Sequence, residues 1–523
     1  MKNFLILTCC LFTTFVQAQV NSVSSGAGSS KYWILFTDKD QSSVPALSPA
    51  TLERRRLQNL PIDDTDQPVA GQYINQLQRS GIRPECRSRW LNGVSARLTS
   101  QQYAQVTALP FVRTIQPIDP NIIITSTASA LKSGDQINPQ MAPVMTQIQA
   151  PEFAQAGLTG RFVNIGVIDA GFFGADSVGA LRHIFKREGV KQVRDYVNAK
   201  KTQNNLFRTL ETMSDFHGTE VLAAIAGNDP AENVQYGLAT DATFYLARTD
   251  QGNREFRGEE DNWVAAMEWM DSLGVRLINT SLGYAKGMSN PKENYEPKQM
   301  DGHTSLISRA AQIAADKKGI LIIVSAGNEG DDRSWRIIST PADAKGVLAI
   351  GATNAKLWNR IGYSSIGPEE LPYLKPNVSC FSLYGTSLSA PVITGFAACI
   401  MQANPKLTNK QVMDIIEKSS HLYPYGNNYV GYGVPLASRA LALLKNQPLP
   451  ETARSVKATG KSITLPVPAS ESVVSVFRKK NAMHVLSQDA LHVTDGKLVL
   501  RRANGEKQTT VDLKKEVIEV IWE

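Results

Sequence analysis

Residues 385–400 read Gly385-Thr-Ser-Leu-Ser-Ala-Pro391 and then Val392-Ile-Thr-Gly-Phe-Ala-Ala-Cys-Ile400. Pro391 restricts the backbone as a residue at a helix start does, and the apolar run behind it reads as a buried helix. A serine at such an N-terminus sits at the positive end of the helix dipole, beside backbone N–H groups without intrahelical partners. Both features favour negative charge developing on a substrate oxygen. Ser387 is therefore a candidate nucleophile. Taken alone, Gly-Thr-Ser reads equally well as a helix cap, so the rest of the chain has to decide.

Around this segment, residues 146–445 alternate short apolar runs with helical patterns. Strands are expected over 162–168, 243–246, 275–279, 320–324 and 347–350, and helices over 219–226, 261–273 and 304–317. This alternation predicts an α/β fold, a parallel sheet with helices on both faces. Such folds place chemistry at the carboxyl ends of the strands.

Peptide hydrolysis by a hydroxyl needs a base to take its proton, a carboxylate to orient that base, and donors for the oxyanion. The sequence offers one candidate for each. Asp169 follows the apolar run 162–168 and precedes Ala170-Gly171, so it faces the catalytic end of the sheet. His217, in Phe216-His-Gly-Thr219, is the one histidine of six at the start of an expected helix with a glycine behind it. Asn328, in Ser325-Ala-Gly-Asn-Glu-Gly330, follows the strand 320–324 and carries a neutral amide suited to an oxyanion. Each motif alone also fits a turn or cap; the combination is what carries information.

Ile168-Asp-Ala-Gly171, His217-Gly-Thr219, Ser325-Ala-Gly-Asn328 and Gly385-Thr-Ser-Leu-Ser-Ala-Pro391 resemble the motifs of the subtilisin-like serine peptidases (subtilases), in that family's order. The resemblance covers residues 146–445 and implies a subtilisin-like catalytic domain. It implies that Asp169 orients His217, that His217 is general base and then general acid, and that Ser387 forms the acyl-enzyme. Asn328 and the Ser387 backbone N–H would form the oxyanion hole. Ser281-Leu282-Gly283, within Asn279-Thr-Ser-Leu-Gly283, resembles the strand that pairs with a substrate backbone. Ala326 and Gly327 would line the pocket for the side chain before the scissile bond. Residues 31–118 are similar to the family's propeptide, a folding chaperone and intramolecular inhibitor, and the combination resembles secreted subtilases of Bacteroidetes-type bacteria. Two features depart from the pattern. Lys375-Pro-Asn377 stands where the family has Lys-Pro-Asp, and the run from Asn377 to Ser387 is short, so a hairpin on the leaving-group side is missing. The chemistry requires no cofactor. Calcium is common in the family, but no acidic loop here specifies a metal site.

The flanking segments fit an exported precursor. Lys2, the apolar stretch 4–16 and Val16-Gln17-Ala18 read as a signal peptide over residues 1–18. Residues 31–118 read as a small α+β unit and 119–145 as a linker holding the maturation cut. From about 450 to 523 short strands and the turn signals Asp495-Gly496 and Asn504-Gly505 predict a small β-domain. Beyond the leader, no apolar stretch reaches the ~20 residues of a membrane span. Cys86, Cys380 and Cys399 show neither disulfide-framework nor metal spacing, and Cys399 reads as a buried thiol. The net charge is +7, but 55 basic residues stand against 48 acidic ones without clustering, which argues against nucleic-acid binding.

The expectation is a serine endopeptidase acting on proteins or peptides in the periplasm, on the cell surface or outside the cell. The alternative is an inactive subtilase-fold protein of the envelope that binds peptides without cutting them. An esterase of the Gly-x-Ser-x-Gly class is excluded by the motif and by the order of its groups.

Overall fold

The computed structural model describes residues 29–39, 45, 47–118, 141–198, 206–250, 259–286, 294–468 and 470–523. The expected signal peptide and most of the expected linker lie outside them.

The N-terminal unit is a four-stranded antiparallel sheet with three helices. It comprises β1 (Ser30–Phe36), α1 (Pro49–Leu57), α2 (Gly71–Arg79), β2 (Pro84–Ser88), β3 (Gly93–Leu98), α3 (Ser100–Thr107) and β4 (Val112–Ile118), in sheet order β2-β3-β1-β4. Then follow α4 (Met141–Gln147), α5 (Ala150–Gln155), β5 (Asn164–Asp169), α6 (Arg182–Lys186), β6 (Val190–Asp195), α7 (His217–Ala226), β7 (Asn228–Asp229), β8 (Val234–Gln235), β9 (Thr243–Arg248) and α8 (Glu260–Ser272). The unit continues through β10 (Leu277–Thr280), α9 (Leu306–Lys318), β11 (Leu321–Ser325), β12 (Leu348–Thr353), β13 (Val378–Phe381), α10 (Thr386–Ala403), α11 (Asn409–Ser419) and α12 (Ala437–Leu444).

Seven of these strands form one parallel sheet in the order β13-β12-β11-β10-β5-β9-β6. Strand periodicity divides its side chains between two cores. Along β11, Leu321 and Ile323 enter the core shared with α7 and α10, while Ile322 and Val324 enter the core shared with α8 and α9. Burial on both faces is what a parallel sheet requires. The order reverses between β5 and β10, because β6 and β9 lie on one side and β10 to β13 on the other. A crevice opens at such a switch point, and Asp169 is the last residue of β5. Helix α10 is long and apolar enough to cross a membrane, but it packs inside the fold with 89% of its window buried.

The N-terminal unit docks on α8 and α9. Glu268 of α8 accepts from Ser88 Oγ (2.6 Å) and from the Trp90 N–H (3.1 Å). Helix α1 meets the C-terminal ends of both helices. Arg54 donates to Lys318 O (2.9 Å) and Val275 O (2.8 Å), and Arg55 donates to Lys317 O (2.7 Å). Cations at free helix carbonyls complement the dipole. Arg54 pairs with Asp271, and Asp66 pairs with both Arg55 and Lys318, all of them buried.

Beyond residue 450, a five-stranded sheet has the order β14 (Ala453–Ala458), β20 (Val517–Trp522), β19 (Gln508–Asp512), β16 (Val473–Lys479), β17 (Val485–His492). Beside it, β15 (Ser462–Pro466) pairs with β18 (Lys497–Arg501).

Several expectations change. The strand expected over 162–168 starts at Asn164, and Phe162 is 90% exposed with φ +68°. Residues 141–145 of the expected linker belong to α4. Pro391 lies inside α10 rather than at its start, and the helix begins at Thr386. Asp495-Gly496 forms the expected two-residue turn, across which Thr494 and Lys497 exchange backbone hydrogen bonds (3.0 and 2.9 Å), and beyond it β18 pairs with β15. β2, β6, β13 and β14 were not foreseen.

Candidate active site

Asp169, His217, Asn328 and Ser387 come from four different elements, and the sheet brings them to one end. Asp169 is fully buried; its Oδ1 accepts from the Ala170 N–H (2.8 Å) and lies 2.8 Å from His217 Nδ1. His217 opens α7, where the turn before it is locked to the segment after Asp169. Phe173 N–H donates to Asp215 O (2.7 Å), and Gly218 N–H donates to Gly171 O (2.9 Å). A β-carbon on Gly218 would lie 2.3 Å from Gly171 O. Gly218 is thus required by this close approach of backbone.

Ser387 lies in the first turn of α10, whose N-terminal N–H groups face the same region. Pro391 has no N–H, so the Ser387 carbonyl loses its partner one turn on. Ser281 Oγ donates to that carbonyl instead, at 2.9 Å. Asn328 is oriented by Thr386: its Oδ1 accepts from the Thr386 N–H (2.8 Å) and Oγ1 (3.1 Å), which turns Nδ2 the other way.

Among the described residues, Asp169 Oδ2, His217 Nε2, Asn328 Nδ2 and Ser387 Oγ are buried with no hydrogen-bond partner. Asp169 and His217 form one contacting pair at the carboxyl end of the sheet, and Asn328 and Ser387 form a second. A β-carbon on Gly385 would sit 3.1 Å from both Asn328 Nδ2 and Ser387 Oγ. One point therefore lies within reach of both groups, and it is open because residue 385 has no side chain. Gly385 also has φ +106°, which an L side chain resists. His217 Nε2 and Ser387 Oγ are not hydrogen-bonded to each other, a common state for such pairs without substrate.

Ser281, Leu282 and Gly283 continue from β10 and are buried; among the described residues their backbone makes no hydrogen bond. Ala326 and Gly327 follow β11. Ala326 N–H donates to Ile350 O (2.9 Å), and Gly327 O accepts from the Ser365 N–H (3.1 Å). Burial opposes protonation of His217, but the Asp169 charge and hydrogen bond, with the Glu220 charge, outweigh it and raise its pKa above 6.5. Among the described residues no group of three His, Cys, Asp or Glu is placed to hold a metal ion.

Sequence reasoning missed three supporting groups. Arg248, buried at the end of β9, donates to Ala170 O (2.9 Å) and pairs with Asp215 (2.8 Å), so it ties the Asp169 segment to the turn before His217. Glu329 folds back to accept from the Asn328 N–H (2.9 Å), and Ser365 Oγ accepts from the Glu329 N–H (3.1 Å). Burial raises the pKa of Glu329. The departure at Asn377 also has a reason. Its Oδ1 accepts from the Ala349 N–H (2.9 Å), and its Nδ2 donates to Glu417 (2.8 Å). A carboxylate there would face Glu417 with no proton to give. No sequence signal announces these contacts, and all but the one between Glu329 and Asn328 join residues far apart in the chain.

A buried Asp–His pair and a helix-borne serine, both at the carboxyl end of a parallel sheet, are the kinds of group that a nucleophilic-serine hydrolase uses. Residues 160–433 match the subtilase family, and residues 31–132 match the Bacteroidota propeptide domain of S8 peptidases. The chain belongs to the subtilase family and is a subtilisin-like serine endopeptidase with an N-terminal propeptide domain. It is 28% identical to Subtilisin NAT of Bacillus subtilis subsp. natto over 302 residues, 55% of this chain and 68% of that protein. It is equally similar to the subtilisin of Bacillus pumilus, 28% over 302 residues, covering 94% of that protein. Among solved structures it is similar to the Clostridium perfringens CspB protease, with a TM-score of 0.48 and 15% identity over 58% of this chain and 99% of that one.

Proposed function

We propose that this peptidase is exported and cleaves proteins through Ser387, His217 and Asp169. The observation that carries the reading is the 2.8 Å Asp169–His217 contact beside three buried, unpaired groups: His217 Nε2, Ser387 Oγ and Asn328 Nδ2. In the first half-reaction His217 Nε2 takes the Ser387 proton as Oγ attacks the carbonyl carbon. Asn328 Nδ2 and the Ser387 backbone N–H take the oxyanion. The imidazolium then gives its proton to the leaving amine and an acyl-enzyme remains. Water, activated by the same imidazole, releases the acyl group. Protein groups supply every step.

The unpaired backbone of Ser281, Leu282 and Gly283 suits an extended peptide added as a strand, a mode that makes little demand on sequence. Ala326 and Gly327 would border the side chain before the scissile bond. Residues 31–118 would cover the site as an intramolecular inhibitor until a cut within 119–145 separates them. Export to the periplasm, the surface or the medium rests on the leader-like residues 1–18 and on the kinship with subtilisins.

Purified, matured protein should hydrolyse casein, and an Asn328→Ala variant tests the machinery behind that activity. With one oxyanion donor gone, kcat should fall by about 10²–10³ with KM little changed. Unchanged kcat would contradict the assignment. The alternative, an envelope peptide-binder, draws its support from the short approach from Asn377 to Ser387; it predicts casein binding without cleavage.

The pH dependence follows from His217. A base works in its neutral form, so kcat/KM should fall as pH drops through the raised pKa. The acid limb should therefore have its midpoint above 6.5, the ordinary histidine value. A midpoint below it would show that Asp169 does not dominate the site.

A further inference from the structure

We infer that the C-terminal β-domain is a permanent part of the peptidase, and that through Arg360 it holds in place the loop Ser325–Gly330 that carries Asn328. The second half of this rests on the proposed role of Asn328; the first half does not.

The junction between the two domains is built like an interior. Ile366, Leu422, Tyr429 and Val430 of the catalytic domain share one apolar cluster with Phe477, Val485 and Val517 of the β-domain. Beside it, His421 Nε2 lies 3.2 Å from Asp512 Oδ2, with the two residues 2% and 3% exposed. His421 Nδ1 accepts from the Val434 N–H (2.8 Å), so Nε2 carries the proton and donates it to Asp512. Asn428 is bonded on both sides. Its N–H donates to Met483 O (2.8 Å) and its Oδ1 accepts from the Val485 N–H (2.9 Å), while its O accepts from the Gly367 N–H (2.8 Å). Domains joined for easy separation meet through polar, poorly packed surfaces. Removing this one would open an apolar patch and strand a buried carboxylate and imidazole.

From this junction a short chain of contacts leads to Asn328. The side-chain amide of Gln488, on β17, grips the Arg360 backbone twice: Oε1 accepts its N–H (3.1 Å) and Nε2 donates to its O (2.8 Å). Ser475 Oγ on β16 donates to Leu357 O in the same loop (3.0 Å). The Arg360 guanidinium, stacked over Tyr429, donates to Gly362 O (2.7 Å) and Ser364 O (2.6 Å). Residues 363–365 then hold both ends of the Asn328 turn. Tyr363 O accepts from the Gly330 N–H (2.7 Å), and Ser365 N–H donates to Gly327 O (3.1 Å). Packing is tight enough that a β-carbon on Gly330 would lie 2.1 Å from Ser364 O. An oxyanion donor must be placed within a few tenths of an ångström, and here the backing of its loop is anchored in another domain.

Four full-chain variants and one mass measurement test this. The intact mass of matured, active enzyme should include the chain through Glu523; an active form ending near 450 would overturn the permanence of the domain. Gln488→Ala, at a half-buried position, should lower kcat about tenfold with KM within about twofold, as for a small misplacement at a distance. The rate of labelling by a fluorophosphonate should fall in step. Asp512→Asn should lower the melting temperature and leave kcat unchanged at temperatures where it is folded. Lys480→Ala, which removes an ion pair with Glu369 at the rim, should change neither. Wild-type kcat in Gln488→Ala, or losses in kcat that merely track melting temperature across the variants, would overturn the coupling. If Ser387→Ala remained active, the catalytic reading would fail while the mass result would still judge the domain.

Discussion

Ser387→Ala is expected to lower kcat by about 10⁶ with little change in KM. The serine hydroxyl touches the substrate only when the new bond forms, so its loss leaves binding groups in place. Ser281 would still donate to the residue 387 carbonyl, and Gly385 would still keep the pocket open. The fold should survive, because the side chain makes no hydrogen bond and replacing it by a methyl group strands no partner. The rate remaining would come from Asn328 and from substrate binding alone. Adding His217→Ala should cost almost nothing more, since the base and nucleophile act as one unit. Maturation should stall in the same variant if the cut within 119–145 is autocatalytic, leaving the full-length precursor on a gel.

Asp169→Asn should cost about 10⁴ in kcat. The carboxylate accepts the Nδ1 proton, fixes the tautomer that leaves Nε2 free to act as a base, and stabilises the imidazolium. An amide in its place keeps the shape but removes the charge. The pH profile gives an independent signature. With the Asp169 charge gone, burial is the strongest influence left on His217, and burial lowers its pKa. The acid limb of the residual activity should therefore move to lower pH than in the wild type. A variant with the expected rate loss but an unmoved limb would mean that Asp169 acts through structure and not through charge.

The parts of the site that the sequence revealed are those whose chemistry admits few residue types. In Gly385-Thr-Ser-Leu-Ser-Ala-Pro391 four residues have tasks that few other residue types could perform. Gly385 supplies positive φ and open space, Thr386 orients Asn328, and Pro391 frees a carbonyl for Ser281. Such a segment tolerates little change and is readable without a fold. Arg248 shows the opposite case. In the sequence it is one arginine at the end of a strand; its importance comes from Ala170 and Asp215, which only the folded sheet brings to it. Ser365 and Glu329 are hidden for the same reason.

The sheet was legible where strands are long and apolar, as in β5 and β11, because burial on both faces leaves continuous hydrophobic runs. The edge strands were not. β6 reads Val-Lys-Gln-Val-Arg-Asp, with charged residues on its open side, and β13 has only four residues. β14 was missed because its partner β20 lies at the far end of the domain, and its own sequence, Ala-Arg-Ser-Val-Lys-Ala, is half polar. Pro391 was misplaced for a different reason. A proline ordinarily marks a helix start, and here the helix tolerates it further in because Ser281 satisfies the carbonyl it leaves unbonded.

The most direct measurement is site mapping by an active-site label. Matured protein and its Ser387→Ala variant would be treated with a fluorophosphonate, digested and analysed by mass spectrometry. The account predicts one phosphonylated residue, Ser387, with casein cleavage lost in proportion to labelling and no label on the variant. Labelling of another serine, or equal cleavage of casein by the variant, would contradict it.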